Sequence, residues 1–257
     1  MLYIAVVSHK HYNIINELNC LAKVSTLPDV KVIVKDNYGE ARLKIYCEEN
    51  GIQYYDENRG LGLGFGANNN FIFKKIRGRA QEDDFFLILN PDVYVETDAL
   101  LSLIYNMRER GISCATINLY NDEGFTTFDN SVRKFPTPLT FLGSYLLGRN
   151  NSIEDKTKFS PVQEIEWCAG SFIILNIKTF DLLNGFDEKF FMYCEDIDLC
   201  WRIKFILKSK LYCFADIKAI HYARFNNRRL FSKHFYWHLK SICIYLIKTY
   251  KWKLFGR

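Results

Sequence analysis

After Asp216 the sequence contains no acidic residue, although ten Lys and Arg still follow. The whole chain of 257 residues carries a formal charge of +5, so the part before Ile217 is acidic, near −5. Also lacking is any apolar run approaching the eighteen or so residues that a membrane-spanning helix needs. There is no internal repeat and no low-complexity tract, and the Met1 start shows no signal-peptide pattern. Paired metal-ligand spacing is missing among the eight cysteines (Cys20, Cys47, Cys114, Cys168, Cys194, Cys200, Cys213, Cys243), which argues against structural zinc. Scattered in this way, they read as free thiols in a reducing cytoplasm.

What is present is 49% hydrophobic residues, enough to bury a substantial core in one large α/β domain or a domain with an appendage. A basic end suits nucleic acid, an anionic membrane or an acidic substrate. Here Phe225, Phe231, Phe235, Tyr236, Trp237, Tyr245, Tyr250, Trp252 and Phe255 alternate with the cations, as in a helix lying in a lipid interface. The expected partner is therefore a membrane surface and not nucleic acid. A core-packed C-terminal helix pair with a solvated basic face fits the same pattern.

The N-terminal half alternates strand and helix signals. Leu2 to Val7 is a short apolar run, Tyr12 to Leu27 has three- and four-residue spacing, and Val30 to Val34 is a second run ending on Asp36-Asn37. Arg42 to Asn50 predicts a helix and Ile52 to Tyr55 a strand. A glycine-rich loop, Asn58 to Gly66, precedes a predicted helix from Ala67 to Ile76. This alternation argues for a parallel sheet with helices on both faces. Phe85 to Leu89 reads as a buried strand that stops on Asn90-Pro91-Asp92, followed by a helix at Ala99 to Arg110 and a strand at Cys114 to Leu119. Beyond Asn121 the signals thin out, with an irregular segment or hairpin at Asp129 to Pro138 and a polar loop at Asn150 to Pro161. Order returns with a strand at Ser171 to Ile177, a helix at Lys178 to Asn184 closed by Gly185, a helix opening at Glu195-Asp196, and strands near Leu211 to Phe214 and Ile217 to His221.

Three features carry chemistry. Asp92 lies at the tip of a buried strand, where open α/β sheets bind ligands, although Asn-Pro-Asp is also ordinary turn chemistry. Glu195-Asp196-Ile197-Asp198 opens a helix, where acids cap free amides, and Asp198 can pair with Arg202 one turn on. Three acids in four residues exceed what a cap requires, and a carboxylate beside the aromatic run Phe190 to Tyr193 suits a general base. His221, at a strand end, reads by itself as a hydrogen-bonded histidine, and paired with Asp92 as a second ligand candidate. Imidazole with carboxylate and diphosphate oxygens suits Mg²⁺ or Mn²⁺. The Gly60 to Gly66 spacing contains a dinucleotide fingerprint, but it follows the third strand, and Val7-Ser8-His9-Lys10 has no glycine, so a Rossmann dehydrogenase is not expected.

In order along the chain, Asp36-Asn37, Gly60 to Asn70 with Asn68-Asn69-Asn70, Leu89-Asn90-Pro91-Asp92, Trp167-Cys168-Ala169-Gly170, Glu195 to Leu199 and His221 resemble the family 2 glycosyltransferases of GT-A fold. Ser131 to Pro136, Phe191 to Asp196 and His238 to Ser241 are similar to bacterial rhamnosyltransferases of O-antigen assembly. The resemblance implies a mostly parallel central sheet flanked by helices. It divides the chain into a catalytic domain at 1–226, with nucleotide-binding (1–120) and acceptor-binding (121–226) halves, and a basic amphipathic helical tail at 227–257.

It further implies an inverting enzyme that uses dTDP-L-rhamnose, a divalent cation and a polyprenyl-diphosphate-linked saccharide acceptor in lipopolysaccharide assembly, peripheral on the cytoplasmic face of the inner membrane. Ser8, Asp36, Asn37, Gly60, Gly64, Asn68 and Asn90 would face the nucleotide, and Asp92 and His221 the metal. Trp167, Gly170 and Glu195 would shape the sugar or acceptor pocket, and Asp196 would be the base. Two departures stand out: Asn90 replaces an acid frequent in the family, and Lys35-Asp36-Asn37-Tyr38-Gly39 lacks the serine often found after the Asn. A UDP-hexose donor and a non-catalytic sugar-nucleotide-binding scaffold are the alternatives.

Overall fold

The computed structural model describes all residues except 58, 59, 61, 148–150, 224–232 and 257. Part of the expected glycine loop therefore lies outside the described residues, as do Asn150, Phe225, Phe231 and the expected domain end at Asn226. The strands are β1 (Leu2–Ser8), β2 (Val30–Asp36), β3 (Gln53–Tyr55), β4 (Phe85–Leu89), β5 (Val93–Tyr94), β6 (Cys114–Tyr120), β7 (Val132–Arg133), β8 (Val162–Ile165), β9 (Trp167–Cys168), β10 (Phe172–Asn176) and β11 (Leu211–His221). The helices are α1 (Tyr12–Leu18), α2 (Cys20–Ser25), α3 (Ala41–Glu49), α4 (Phe65–Ile76), α5 (Thr97–Glu109), α6 (Pro138–Leu147), α7 (Ile177–Leu182), α8 (Glu195–Phe205) and α9 (Lys233–Phe255).

The main sheet runs β3-β2-β1-β4-β10-β6-β11-β5, with β8 also paired to β11, and β7 and β9 form a separate ribbon. Its first four strands are parallel, as the alternating signals predict. β10 runs antiparallel to both β4 and β6, so the sheet as a whole is mixed. The two expected strands near Leu211 and Ile217 are one strand whose register against β6 shifts between Phe214 and Lys218. Such a bulge interrupts the apolar pattern without ending the strand.

Strands buried on both faces read as continuous apolar runs, because each neighbouring side chain serves a different layer. Leu2, Ile4, Val6 and Leu87 join one core with Leu43, Leu100 and Met107, while Tyr3, Ala5, Phe86 and Ile88 join the other with Ile72, Phe180 and Trp201. All eight cysteines are free, and only Cys243 is exposed.

One ionic knot ties α8 to α9. Asp198 is fully buried, with Arg202 Nε 2.7 Å from Oδ2 and Lys248 Nζ 2.6 Å from Oδ1. Lys248 also reaches Asp187 at 2.7 Å. The Asp198–Arg202 pair is thus the i,i+4 contact expected from sequence, and the α9 lysine is a further partner that spacing could not show. Asp198→Ala would leave the Arg202 guanidinium buried and uncompensated. The expected cost is about 3–5 kcal/mol, measurable as a lowered denaturant midpoint; an unchanged midpoint would remove Asp198 as the tie.

Candidate active site

The loops that follow parallel strands β1, β2 and β4 meet at one end of the sheet, the place where such sheets bind ligands. Asn37 N–H donates to the Ser8 carbonyl (2.9 Å) and Gly60 N–H to the Asn37 carbonyl (3.3 Å), which joins three sequence-predicted positions. Asp36 is fully buried. It accepts from Tyr38 N (2.8 Å), Glu40 N (2.7 Å) and the Tyr54 hydroxyl (2.9 Å), so it organises the 37–40 turn. Tyr38, half exposed at that turn with Lys10 Nζ 4.3 Å from its ring centre, is an aromatic that the sequence reading missed.

The glycine loop is held from behind. Asn68 is fully buried and donates to the Leu63 (3.0 Å) and Gly64 (2.8 Å) carbonyls. A Cβ on Gly64 would collide with the Phe191 carbonyl oxygen, so the close approach requires glycine there. The loop thereby packs on the segment that leads into Glu195 and Asp196.

Asp92 and His221 meet because β5 pairs with the end of β11, His221 opposite Val93 and Ile220 opposite Tyr94. Tyr222 N–H donates to the Asp92 carbonyl at 3.0 Å. His221 Nε2 lies 3.4 Å from Asp92 Oδ1, and Nδ1 lies 3.2 Å from Asp129 Oδ2. Burial alone would lower the imidazole's pKa, but the two carboxylates outweigh it and raise it to about 9. Burial would raise Asp92, yet the same imidazole brings it below the usual carboxylate range. Even so, Asp92 Oδ1 is buried and has no hydrogen-bond partner, the 3.4 Å contact being long and poorly aligned. Asp129, missed in the sequence, sits in a segment that showed only irregular structure. Buried Lys156 lies beside it, bonded to the Leu119 carbonyl (3.2 Å) and Ser131 Oγ (3.1 Å).

The acidic helix start lies on the other side of the turn at 169–171. Gly170 N–H donates to Asp196 Oδ2 (3.0 Å), Ile197 N–H donates to Oδ1 (2.8 Å), and Asn90 N–H donates to the Ser171 carbonyl (2.9 Å). Residues 90 and 196 thus flank one short turn. A Cβ on Gly170 would lie 3.0 Å from the Phe65 ring, so this turn packs closely on the start of α4. Burial raises the Asp196 pKa against the opposing pull of these amides. Burial, with the Asp196 charge second, raises Glu195 to about 8, and Glu195 Oε2 is buried without a partner. Tyr193 (φ 69°) and Cys194 (φ 62°) both occupy the left-handed region just before these acids. Two consecutive non-glycine residues there represent stored strain of the kind found at functional sites.

Trp167 is buried; its Nε1 donates to the Lys134 carbonyl (2.8 Å) and the Arg133 guanidinium lies 5.5 Å from its ring centre. Arg133, a residue the sequence reading did not single out, thus stands between Trp167 and Asp196, whose charge the guanidinium stabilises. A cavity of about 430 Å³ between α4, the 183–188 segment, Arg202 and Lys248 contains none of these residues. Its Arg77 is paired with Asp181 and its Lys248 with Asp187, so volume alone does not make it the site.

No family model matches the sequence. Among solved structures, S. aureus TarS 1-349 in complex with UDP superposes with a TM-score of 0.57 at 17% identity, covering 85% of this chain and 59% of that one. Mannosyltransferase PcManGT from Pyrobaculum calidifontis, in complex with GDP-Man and Mn²⁺, gives 0.56 at 12% identity, over 88% and 58%. The fold is that of a GT-A glycosyltransferase. Rhamnosyltransferase WbbL of Escherichia coli (strain K12) is 39% identical over 252 residues, 96% of this chain and 93% of its own. An N-acetylglucosaminyl-diphospho-decaprenol L-rhamnosyltransferase of Mycobacterium tuberculosis is 26% identical over 203 residues, 73% of this chain and 64% of its own. The chain belongs to the family 2 glycosyltransferases and resembles the rhamnosyltransferases among them.

Proposed function

We propose that this glycosyltransferase moves L-rhamnose from dTDP-L-rhamnose to a polyprenyl-diphosphate-linked saccharide by a single inverting displacement. It would do so in lipopolysaccharide assembly at the cytoplasmic face of the bacterial inner membrane. The observation that carries the reading is that one short turn joins the two acidic segments: Asn90 N–H, two residues before Asp92, donates to the Ser171 carbonyl, and Gly170 N–H donates to the Asp196 carboxylate. The names of the E. coli and mycobacterial relatives support rhamnose as the sugar and, in the mycobacterial case, a lipid-diphosphate acceptor.

In this reading Asp196 removes the acceptor hydroxyl proton, Gly170 N–H holds its carboxylate in place, and Glu195 and Trp167 with Arg133 set the acceptor's position. The 37–40 turn, kept in shape by Asp36 and bordered by Ser8, Asn37 and Gly60, receives the nucleobase. Gly64 and Asn68 shape the glycine loop, and Asn90 sets the turn that presents Asp92. A divalent cation would fit beside Asp92 Oδ1, which makes no aligned hydrogen bond, with His221 Nε2 as the second ligand once its proton is released and Nδ1 remaining on Asp129. Among the described residues no cluster of three or more ligating side chains exists, so the protein offers two ligands and leaves the rest to diphosphate and water. When bound, the cation offsets charge on the departing diphosphate.

The raised carboxyls set a pH expectation. Activity, read as kcat/KM, rises with pH as Asp196 ionises, with its acid limb displaced from about 4 toward neutrality. Glu195→Gln replaces a carboxyl that is itself neutral below about pH 8 with a neutral amide, so that limb stays where it is. Stability runs the other way, because the folded pair holds protons that the unfolded chain releases near about 4.3. It falls as pH rises from there to about 8, and Glu195→Gln removes much of that slope. An acid limb that moves in Glu195→Gln would instead show Glu195 ionising in the same range as Asp196.

The test of function is a donor panel (dTDP-rhamnose, UDP-hexoses, GDP-mannose) assayed for nucleoside diphosphate release with a lipid-linked GlcNAc acceptor, with and without Mn²⁺. Release with dTDP-rhamnose alone supports the reading. Turnover with a UDP-hexose instead would move the assignment to a different surface-polysaccharide enzyme, and binding without turnover would make the chain a scaffold.

A further inference from the structure

Helix α9 has two apolar faces. The inner face carries buried Ser241, Ile242, Tyr245 and Thr249, and Trp252 packs edge-on against Trp201 at 5.1 Å. The outer face carries Tyr236, Leu239, Cys243, Ile247, Tyr250 and Leu254, recurring every three or four residues. All six are exposed, the five besides Cys243 by 40% to 65%. From first to last they form a stripe about 27 Å long at 1.5 Å per residue. Exposed apolar area of this extent marks an interaction surface. On the inner side Phe141 of α6 lies 6.4 Å from Tyr245, and α6 leaves Leu139 and Leu142 exposed.

Charge decides the partner. Lys233, Lys240, Lys251 and Lys253 are exposed along the helix, and no acid occurs after Asp216. A second copy docking through the same stripe would bring cation against cation, whereas an anionic bilayer supplies both the apolar layer and the opposite charge. No helix among the described residues is long and apolar enough to cross the bilayer.

The inner face fixes what the outer face would orient. Ser241 Oγ donates to the Met192 carbonyl (2.8 Å), the Tyr193 hydroxyl and His234 Nδ1 are 3.0 Å apart, and Trp237 lies 4.7 Å from Phe191. These contacts fall on the strained segment that leads into Glu195 and Asp196.

We propose that the outer stripe of α9 is the seat of this enzyme on anionic phospholipid, and that the helix is a strut whose inner face holds the segment leading into Glu195 and Asp196 at a set position above that surface. The proposal deepens the membrane assignment made above and rests on it.

The test uses the full chain with Leu239→Gln, Ile247→Gln and Leu254→Gln combined. All three side chains are exposed, so the fold is retained, as circular dichroism and the thermal midpoint would verify. Co-sedimentation is measured with phosphatidylglycerol/phosphatidylethanolamine vesicles and with phosphatidylcholine vesicles. The unsubstituted enzyme is expected to bind the anionic vesicles, and the triple variant to lose at least about tenfold in partitioning. Transfer to a short-chain, water-soluble acceptor is expected to stay within a factor of about two of the unsubstituted rate, since α9's inner face is untouched. Equal vesicle binding by the variant, or none by the unsubstituted enzyme, overturns the proposal. So does self-association in analytical ultracentrifugation that the triple variant abolishes, which would name a second copy as the occupant. Vesicle binding without transfer from any donor would defeat the catalytic reading and leave this one standing.

Discussion

Asp196→Asn is expected to abolish transfer while the donor still binds. The substitution keeps the shape of the side chain and an oxygen to accept from Gly170 N–H, but it removes the basic lone pair needed to take the acceptor proton. General bases contribute about 10²–10⁴-fold, so kcat should fall by that factor. Donor affinity, measured by calorimetry with the nucleoside diphosphate, should change by less than about twofold, since the fall is confined to the transition state. The neighbouring Glu195 is no substitute. It is buried, its Oε2 meets no donor, and its proton is held up to about pH 8. Turnover like that of the unsubstituted enzyme would refute the assignment.

The second large effect is expected at Asp92. Asp92→Asn is nearly isosteric and leaves the Asp92 carbonyl free to accept from Tyr222 N–H, so the turn and the β5–β11 pairing persist. The buried charge that faces His221 is lost. A cation held there would lose the carboxylate proposed to bind it, and the neutral Asn90 offers no charge in its place. The expected outcome is a drop in kcat/KM of roughly two orders of magnitude, equivalent to about 3 kcal/mol of transition-state stabilisation, together with a higher Mn²⁺ concentration for half-maximal activity. A variant with unchanged rate and unchanged metal dependence would take Asp92 out of the reaction. His221 offers a check without turnover. With one of its two carboxylates neutralised, its imidazole pKa, followed by NMR titration, should fall from about 9 toward the ordinary histidine value.

Much of the architecture was legible in the chain because its causes are local. Leu2 to Val7, Val30 to Val34 and Phe85 to Leu89 are apolar without interruption, since both faces of a central strand are covered, and each ends on a polar turn that belongs to the cleft. The Asp198–Arg202 pair was legible for the same reason, four residues being one helical turn. Asp129 was not. It joins His221 only because the chain between Tyr120 and Val132 folds back, with Asp129 N–H bonded to the Leu119 carbonyl, and no periodicity encodes that return. The buried positions of Asn68 and Trp167 were equally out of reach, because a residue type that can touch a ligand can also hold a loop from behind.

Alone, the sequence determined where most of the longer strands and helices lie, that the end of the chain is basic and greasy, and which acids stand at strand tips and helix starts. These are statements about neighbours along the backbone, set by periodicity and composition. Tertiary structure decided that β10 enters the sheet antiparallel, that His221 sits between Asp92 and Asp129, that Gly170 grips Asp196, and which face of α9 is left bare. Each of those depends on register and packing between segments remote in sequence, where the free energy belongs to the pair of surfaces and neither segment carries it by itself.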